Sequence, residues 1–178
     1  MQLGLLTFRP VKEVIDLVAT PVRESLEQND LYSETWAAPI DPQLADTAAF
    51  CAQYQIGMEV SANCVIVEAK RGERVWYAAC VILATSKADV NGIVRRHLDA
   101  RKLSFAPMAT AVSLAKMEYG GITPIGLPED WPVLVDKAIL GQENVIIGSG
   151  VRGSKLLVAT TIFNKLPGAS VMEVSKPQ

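Results

Sequence analysis

Hydrophobic and polar positions along this chain change period several times, and each change marks an element. Residues 11–28, VKEVIDLVATPVRESLEQ, have the three- and four-residue spacing of a helix, interrupted by Pro21. The pattern predicts two short helices, with Thr20 capping the second and Pro21 at its first position. SETWAAPI, residues 33–40, reads as a strand that ends at Pro39. Asp41-Pro42 then opens a helix over 41–56, with Asp41 as N-cap and Pro42 at the first position. Leu44, Ala48, Cys51 and Ala52 would share its apolar face, and Gly57 would end it.

NCVIVEA (63–69) and RVWYAACVILA (74–84) are apolar runs joined by KRGE, which predicts a β-hairpin. Asp89 starts a helix through NGIVRRHLDA, and a further helix covers 106–116 with Pro107 near its start. WPVLVD (131–136), ENVIIGSG (143–150) and residues 154–159 read as strands. Thr160 would cap a short helix ending near Leu166, before a last strand, ASVMEVS, at 169–175. The sum is an α/β chain with a mixed, largely antiparallel sheet and flanking helices. Its 178 residues suit one domain, with no internal repeat or long linker.

Composition narrows the function classes. With 49% hydrophobic and 20% charged residues, the chain has an ordinary globular balance. A net charge of −2 argues against a wide nucleic-acid groove and confines any such contact to a local surface. Cys51, Cys64 and Cys80 form no CxxC pair and read as reduced thiols of a cytoplasmic protein, Cys64 and Cys80 as small core residues. The start, MQLGLLTFRPVKE, lacks the basic region of a signal peptide. The longest apolar run, Trp76–Ala84, is too short to cross a bilayer as a helix, so no membrane association is expected. The one histidine, His97, sits among basic neighbours on a polar helix and reads as solvated. With no second histidine, a His-based metal site or a Ser/His triad is not expected, and no cofactor is called for.

Two glycine-rich stretches carry the candidate chemistry. EYGGITPIGLP (118–128) sets backbone freedom at Gly120 and Gly121 beside the rigidity of Pro124, which also restricts Thr123. Such a loop can present main-chain N–H and C=O groups in a fixed array; it also suits a plain helix-to-strand connection. GSGVRG (148–153) follows an apolar strand and can offer amides to an anion or a sugar edge, or can be a hairpin turn. It is neither a Walker A loop nor a dinucleotide fingerprint. Arg152 could pair with a phosphate or be a solvated turn residue. Asp136, ending an apolar strand before KAIL, suits a cap or a substrate contact.

These pieces, in this order, resemble the YbaK/EbsC family, which includes the editing domain inserted in bacterial prolyl-tRNA synthetases. The similarity rests on SANCVIV, GGITPIG, WPVLVD and GSGVRG and runs from about Asp41 to Ser175. Gly120 to Pro124 matches the family's GxxxP signature. On this resemblance, residues 41–175 form an editing core with residues 1–40 as an N-terminal extension. It implies hydrolysis of the ester that links a wrong amino acid to tRNA, with Gly120, Gly121, Thr123 and Pro124 gripping substrate and water. Gly148, Ser149, Gly150 and Arg152, with Asp136, would take the nucleotide side. The implied partners are the acceptor end of aminoacyl-tRNA and an aminoacyl-tRNA synthetase.

One position departs from the family. A lysine is usual early in the strand, and this chain has Asn63. Asn63 can donate a hydrogen bond but brings no positive charge. Loss of a comparable oxyanion donor costs about 2.7–4 kcal/mol. Lys70, Arg152 and Lys155 are the cations that could stand in for it. The resemblance therefore implies a trans-acting deacylase. The alternatives are an inactive module binding aminoacyl-tRNA or a nucleotide through the same pocket, and a structural domain with a vestigial pocket.

Overall fold

The computed structural model describes residues 1–177. Three short strands open it: β1 (Gln2–Leu3), β2 (Leu6–Thr7) and β3 (Arg9–Pro10). A 3-10 segment at Val11–Leu17 leads to helix α1 (Thr20–Gln28). Its N-cap is Ala19, so Thr20 lies one residue inside the helix and its side chain caps nothing. Strand β4 (Thr35–Pro39) follows, as the pattern predicts.

The helix expected over 41–56 is two pieces. The Asp41 carboxylate accepts the Gln43 amide at 2.9 Å, but the turn it starts ends at Leu44. Asp46 then opens a new helix, accepting the amides of Ala48 and Ala49 at 3.1 and 3.2 Å. Two carboxylate caps five residues apart compete, and each starts its own turn. Helix α2 (Thr47–Tyr54) therefore has a shifted phase: Phe50 and Cys51 are buried, while Ala48 and Ala52 are exposed. It ends on Gln55 at φ 55°, not on Gly57.

The predicted hairpin forms from β5 (Ala62–Arg71) and β6 (Arg74–Leu83), turning at Gly72 with φ 60°. Strand β7 (Ser86–Ala88) has no apolar alternation and was not expected. Asp89 starts the next helix as predicted, its carboxylate accepting the Ile93 amide at 3.1 Å; a π turn runs into α3 (Arg95–His97). β8 (Lys102–Phe105) is a second unexpected strand, held by pairing with β5. Helix α4 (Met108–Ala115) begins after Pro107. The remaining strands are β9 (Val133–Asp136), β10 (Asn144–Gly148), β11 (Ser154–Ala159), β12 (Ala169–Met172) and β13 (Ser175–Pro177). The single last strand expected over 169–175 is thus split at residues 173–174. Thr160 caps no helix; its hydroxyl donates to the Gln142 carbonyl at 2.8 Å and ties two loops together.

The strands build two main sheets. One runs β12-β9-β6-β5-β8, with its first three strands parallel and the last two antiparallel additions. The other, β10-β11-β4-β3, is antiparallel throughout. One buried cluster draws Ile66, Val81 and Val135 from the first sheet and Ile147 and Leu156 from the second, with Val22 and Leu26 of α1. Each such side chain contributes roughly 1.5–3 kcal/mol by leaving water. A single parallel bridge, Ser61 to Ile146, brings the start of β5 against β10. The candidate site lies at that seam.

Candidate functional site

A cleft of about 280 Å³ opens where the two sheets meet. Asn63 and Cys64 enter it from β5, Gly148 from β10 and Lys155 from β11. The start of α2 supplies Asp46 and Thr47, and the glycine-proline loop supplies Gly120 and Ile122.

The two glycine-rich stretches interlock above it. The Gly150 amide donates to the Gly121 carbonyl at 2.7 Å, and the Glu118 amide donates to the Gly150 carbonyl at 2.8 Å. The approach is too close for side chains: a Cβ on Gly148 would stand 2.4 Å from the Gly121 oxygen. Gly120 has φ +79°, a conformation glycine adopts without penalty. Arg152 pins the assembly, its guanidinium donating to the carbonyls of Tyr119 and Pro42, each at 2.9 Å. Its amide donates to the Glu118 carboxylate at 2.6 Å. Because the loops spend their contacts on each other, the amides of Gly120 and Ile122 have no acceptor among the described residues. Both residues line the cleft, and amides without an intramolecular acceptor are what a main-chain anion site requires.

Asn63 is oriented by α2: the Thr47 hydroxyl donates to its Oδ1 at 2.6 Å. Its Nδ2 then has no partner among the described residues and is a further donor to the cleft. The cation comes from β11. Lys155 is only 6% exposed, and its Nζ donates to the Ala45 carbonyl at 2.9 Å and lies 5.3 Å from the centre of the Phe50 ring. Burial pulls its pKa down to about 8; Cys51 and Asp46 oppose that shift, and Arg152 adds to it. An ammonium has three donors, and one is used here. Lys70 stands at the far end of β5, paired with Glu68 at 2.7 Å, and takes no part in the cleft.

Of the residues singled out from sequence, the cleft brings together Asn63, Cys64, Gly120, Gly148, Arg152 and Lys155. Gly121 and Gly150 sit behind it in the interlocked backbone. Ser149 is buried, donating to the Ser154 carbonyl at 3.1 Å. Thr123 is fully buried, and its hydroxyl has no hydrogen-bond partner among the described residues. Pro124 faces a different groove, of about 660 Å³, between α1 and the end of α4. Asp136 lies away from the cleft and acts as a clamp. One oxygen accepts the Ala138 amide at 2.9 Å; the other accepts those of Val174 and Ser175 at 3.0 and 2.8 Å. Burial alone would raise its pKa, but these donors bring it below the usual carboxylate value. Sequence reasoning missed Asp46 and Thr47. Their signal was the capping aspartate of the second helix, hidden by reading one helix through it.

Burial pushes the Cys64 thiol far up and the Cys80 thiol to about 12, so neither offers a thiolate at neutral pH. Among the described residues no group of three or more His, Cys, Asp or Glu could hold a metal ion, and no helix is long and apolar enough to cross a membrane. The chemistry available is hydrogen-bond donation and one buried cation.

The family model of the aminoacyl-tRNA editing domain matches residues 41–166, the segment that supplies every wall of this cleft. The chain belongs to the aminoacyl-tRNA editing domain family. No curated protein matches it in sequence. Solved structures do match in fold. A candidate trans-editing enzyme for prolyl tRNA synthetase is 15% identical with a TM-score of 0.74, over 89% of this chain and 99% of that one. A hypothetical protein is 20% identical with a TM-score of 0.76, over 88% and 99%. A candidate signal transduction protein from Marinobacter aquaeolei VT8 is 16% identical with a TM-score of 0.58; there the match covers 89% of this editing-domain chain and 31% of the other.

Proposed function

We propose that this editing-domain chain is a trans-acting deacylase that hydrolyses the ester of mischarged tRNA. The observation that carries the proposal is the set of unpaired donors gathered beside a buried ammonium: the Gly120 and Ile122 amides, Asn63 Nδ2 and Lys155 Nζ. Ester hydrolysis puts negative charge on the carbonyl oxygen when water adds to the carbonyl carbon. Fixed donors aimed at that oxygen lower the barrier because they need no rearrangement when the charge appears. The oxyanion then collapses, the ester C–O bond breaks, and the ribose oxygen leaves with a proton. Free amino acid and uncharged tRNA are the products.

Lys155 restores the positive charge that Asn63 lacks, from the neighbouring sheet. The reading of the pocket as an inactive module rests on that missing charge; a buried cation lining the same cleft supports the catalytic reading. Gly148 and Arg152 flank the place of the terminal adenosine, with Ser149 and Gly150 holding the turn behind them. Gly121, Thr123 and Pro124 fix the shape of the loop. Residues 41–175 act as the editing core, and residues 1–40 serve as an extension that adds β3 and β4 to the second sheet.

The test is release of amino acid from a panel of tRNAs mischarged with small amino acids, followed for the wild type, Lys155→Met and Gly120→Ala. Turnover by the wild type, falling about 100-fold or more in Lys155→Met, is the expected result. Tight binding of charged tRNA with no turnover across the panel would instead make the chain a binding module.

A further inference from the structure

The chain carries a net charge of −2, yet seven of its 17 lysines and arginines lie at 70–74 and 95–102. Lys70, Arg95, Arg101 and Lys102 line a concavity of about 410 Å³ around the edge strand β8. Arg71 and Arg74 follow Lys70 at the hairpin turn, and Arg96 follows Arg95 in α3. All seven are exposed. Glu68 neutralises Lys70 at 2.7 Å and Asp99 neutralises Arg71 at 2.5 Å. Arg95, Arg96, Arg101 and Lys102 have no ion-pair partner among the described residues.

The strand register sharpens the point. Lys70 stands directly opposite Lys102, and Arg71 directly opposite Arg74. Like charges in opposed positions destabilise a sheet. Lysine on an edge strand guards against aggregation, but that role does not call for the unpaired arginines of α3. Glu68, Glu73 and Asp99 stand among these cations, but seven positive charges against three negative leave an excess, and the four at 95–102 have no ion-pair partner among the described residues. That excess in a chain of net charge −2 fits a surface shaped for an anionic ligand with several charges.

We propose that this concavity binds the phosphate backbone of the acceptor arm of tRNA. The inference rests on the deacylase reading of the cleft. Asn63 and Lys70 are seven residues apart on one extended strand, so the cleft and the basic surface are about 23 Å apart. Roughly seven nucleotide steps at about 3.4 Å each span that distance. An RNA whose aminoacyl end enters the cleft therefore carries its next phosphates within reach of Arg95, Arg101 and Lys102. Arginine suits the task because its planar fork can engage two phosphate oxygens at once.

The experiment measures binding of fluorescently labelled, uncharged tRNA at several salt concentrations. It compares the wild type, the double variant Arg95→Glu/Lys102→Glu and the distant control Lys137→Glu, with urea midpoints to confirm folding. The double variant is expected to bind about 10- to 100-fold more weakly. Its plot of log K against log salt should be shallower by about 2, one unit for each lost phosphate contact. The control should match the wild type. Unchanged affinity and slope in a folded double variant would overturn the proposal, as would a wild type that does not bind tRNA. Uncharged tRNA separates the two readings. Salt-dependent binding lost in the double variant, with no ester hydrolysed by the wild type, sinks the deacylase and keeps the surface. Hydrolysis of mischarged tRNA with the same KM in both proteins does the reverse.

Discussion

Replacing Lys155 by methionine tests whether this chain keeps a buried charge for function. Its pKa of about 8 lies about 2.5 units below the 10.5 of a free lysine. At about 1.4 kcal/mol per unit, holding the ammonium in the fold at pH 7 costs on the order of 3 kcal/mol. Because the folded pKa is depressed, the unfolded chain binds more protons between pH 8 and 10.5. Stability from this group must therefore rise with pH across that window. The penalty is fully present below pH 8 and is relieved as pH climbs through 8 toward 10.5. At pH 9.5 on the order of 1 kcal/mol of it remains. Methionine fills a similar volume without the charge, so Lys155→Met should be the more stable protein at pH 7. Its advantage should shrink by about 2 kcal/mol between pH 7 and 9.5. Urea unfolding of both proteins at both pH values reads this directly. With an m-value near 2 kcal/mol per molar, the gap between midpoints should close by about 1 M. Comparing the two proteins cancels the titration of every group that does not interact with Lys155. A gap that stays constant with pH would refute the claim that Lys155 is buried with a depressed pKa. Stability gained together with deacylation lost is the signature of a residue kept for function.

Three further substitutions probe the loops and the clamp. Gly120→Ala places a Cβ 2.8 Å from Arg152 Nη1 at φ +79°; it should cost about 1–2 kcal/mol in urea unfolding and, by displacing Arg152, lower deacylation more than stability. Thr123→Val removes a buried hydroxyl with no partner among the described residues and should stabilise by about 1 kcal/mol, whereas loss of stability would mean that the hydroxyl is satisfied. Asp136→Asn leaves one oxygen for three amide donors and should cost about 2–3 kcal/mol at pH 7. Because the Asp136 pKa is lowered in the fold, its contribution is present above the unfolded value of about 3.9 and is lost as pH falls below it. The Asn variant should therefore show a shallower loss of stability in acid, measured by urea midpoints at pH 3 and 6.

How much of this was legible in the sequence depended on whether the cause was local. The β5–β6 hairpin announces itself through two apolar runs around a glycine turn, and its boundaries came out within a residue or two. The glycine-rich stretches were equally readable, because a positive φ at Gly120 and Gly150 restricts the residue type whatever surrounds it. Strands β7 and β8 were invisible for the opposite reason. SKA has no alternation and KLSF alternates over only four residues, too few to announce a strand; both become strands because β13 and β5 supply partners. The cleft's cation was legible only as one of three candidates, Lys70, Arg152 and Lys155. In SKLLVA a lysine looks like the solvated end of a strand, and only the packing of α2 over β11 buries it against Ala45 and Phe50. Asn63 was visible as a departure because it sits where resemblance expects a lysine. Lys155, proposed to supply that charge, lies 92 residues later in the chain and on another sheet. The parallel bridge from Ser61 to Ile146 is what makes the exchange possible, since it holds the start of β5 beside the β10–β11 pair. Either sheet can then deliver an ammonium to the same space. On the deacylase proposal the charge matters by its place in space rather than its position in sequence, and so a missing motif residue is weak grounds for calling an editing site dead until the facing strand has been inspected.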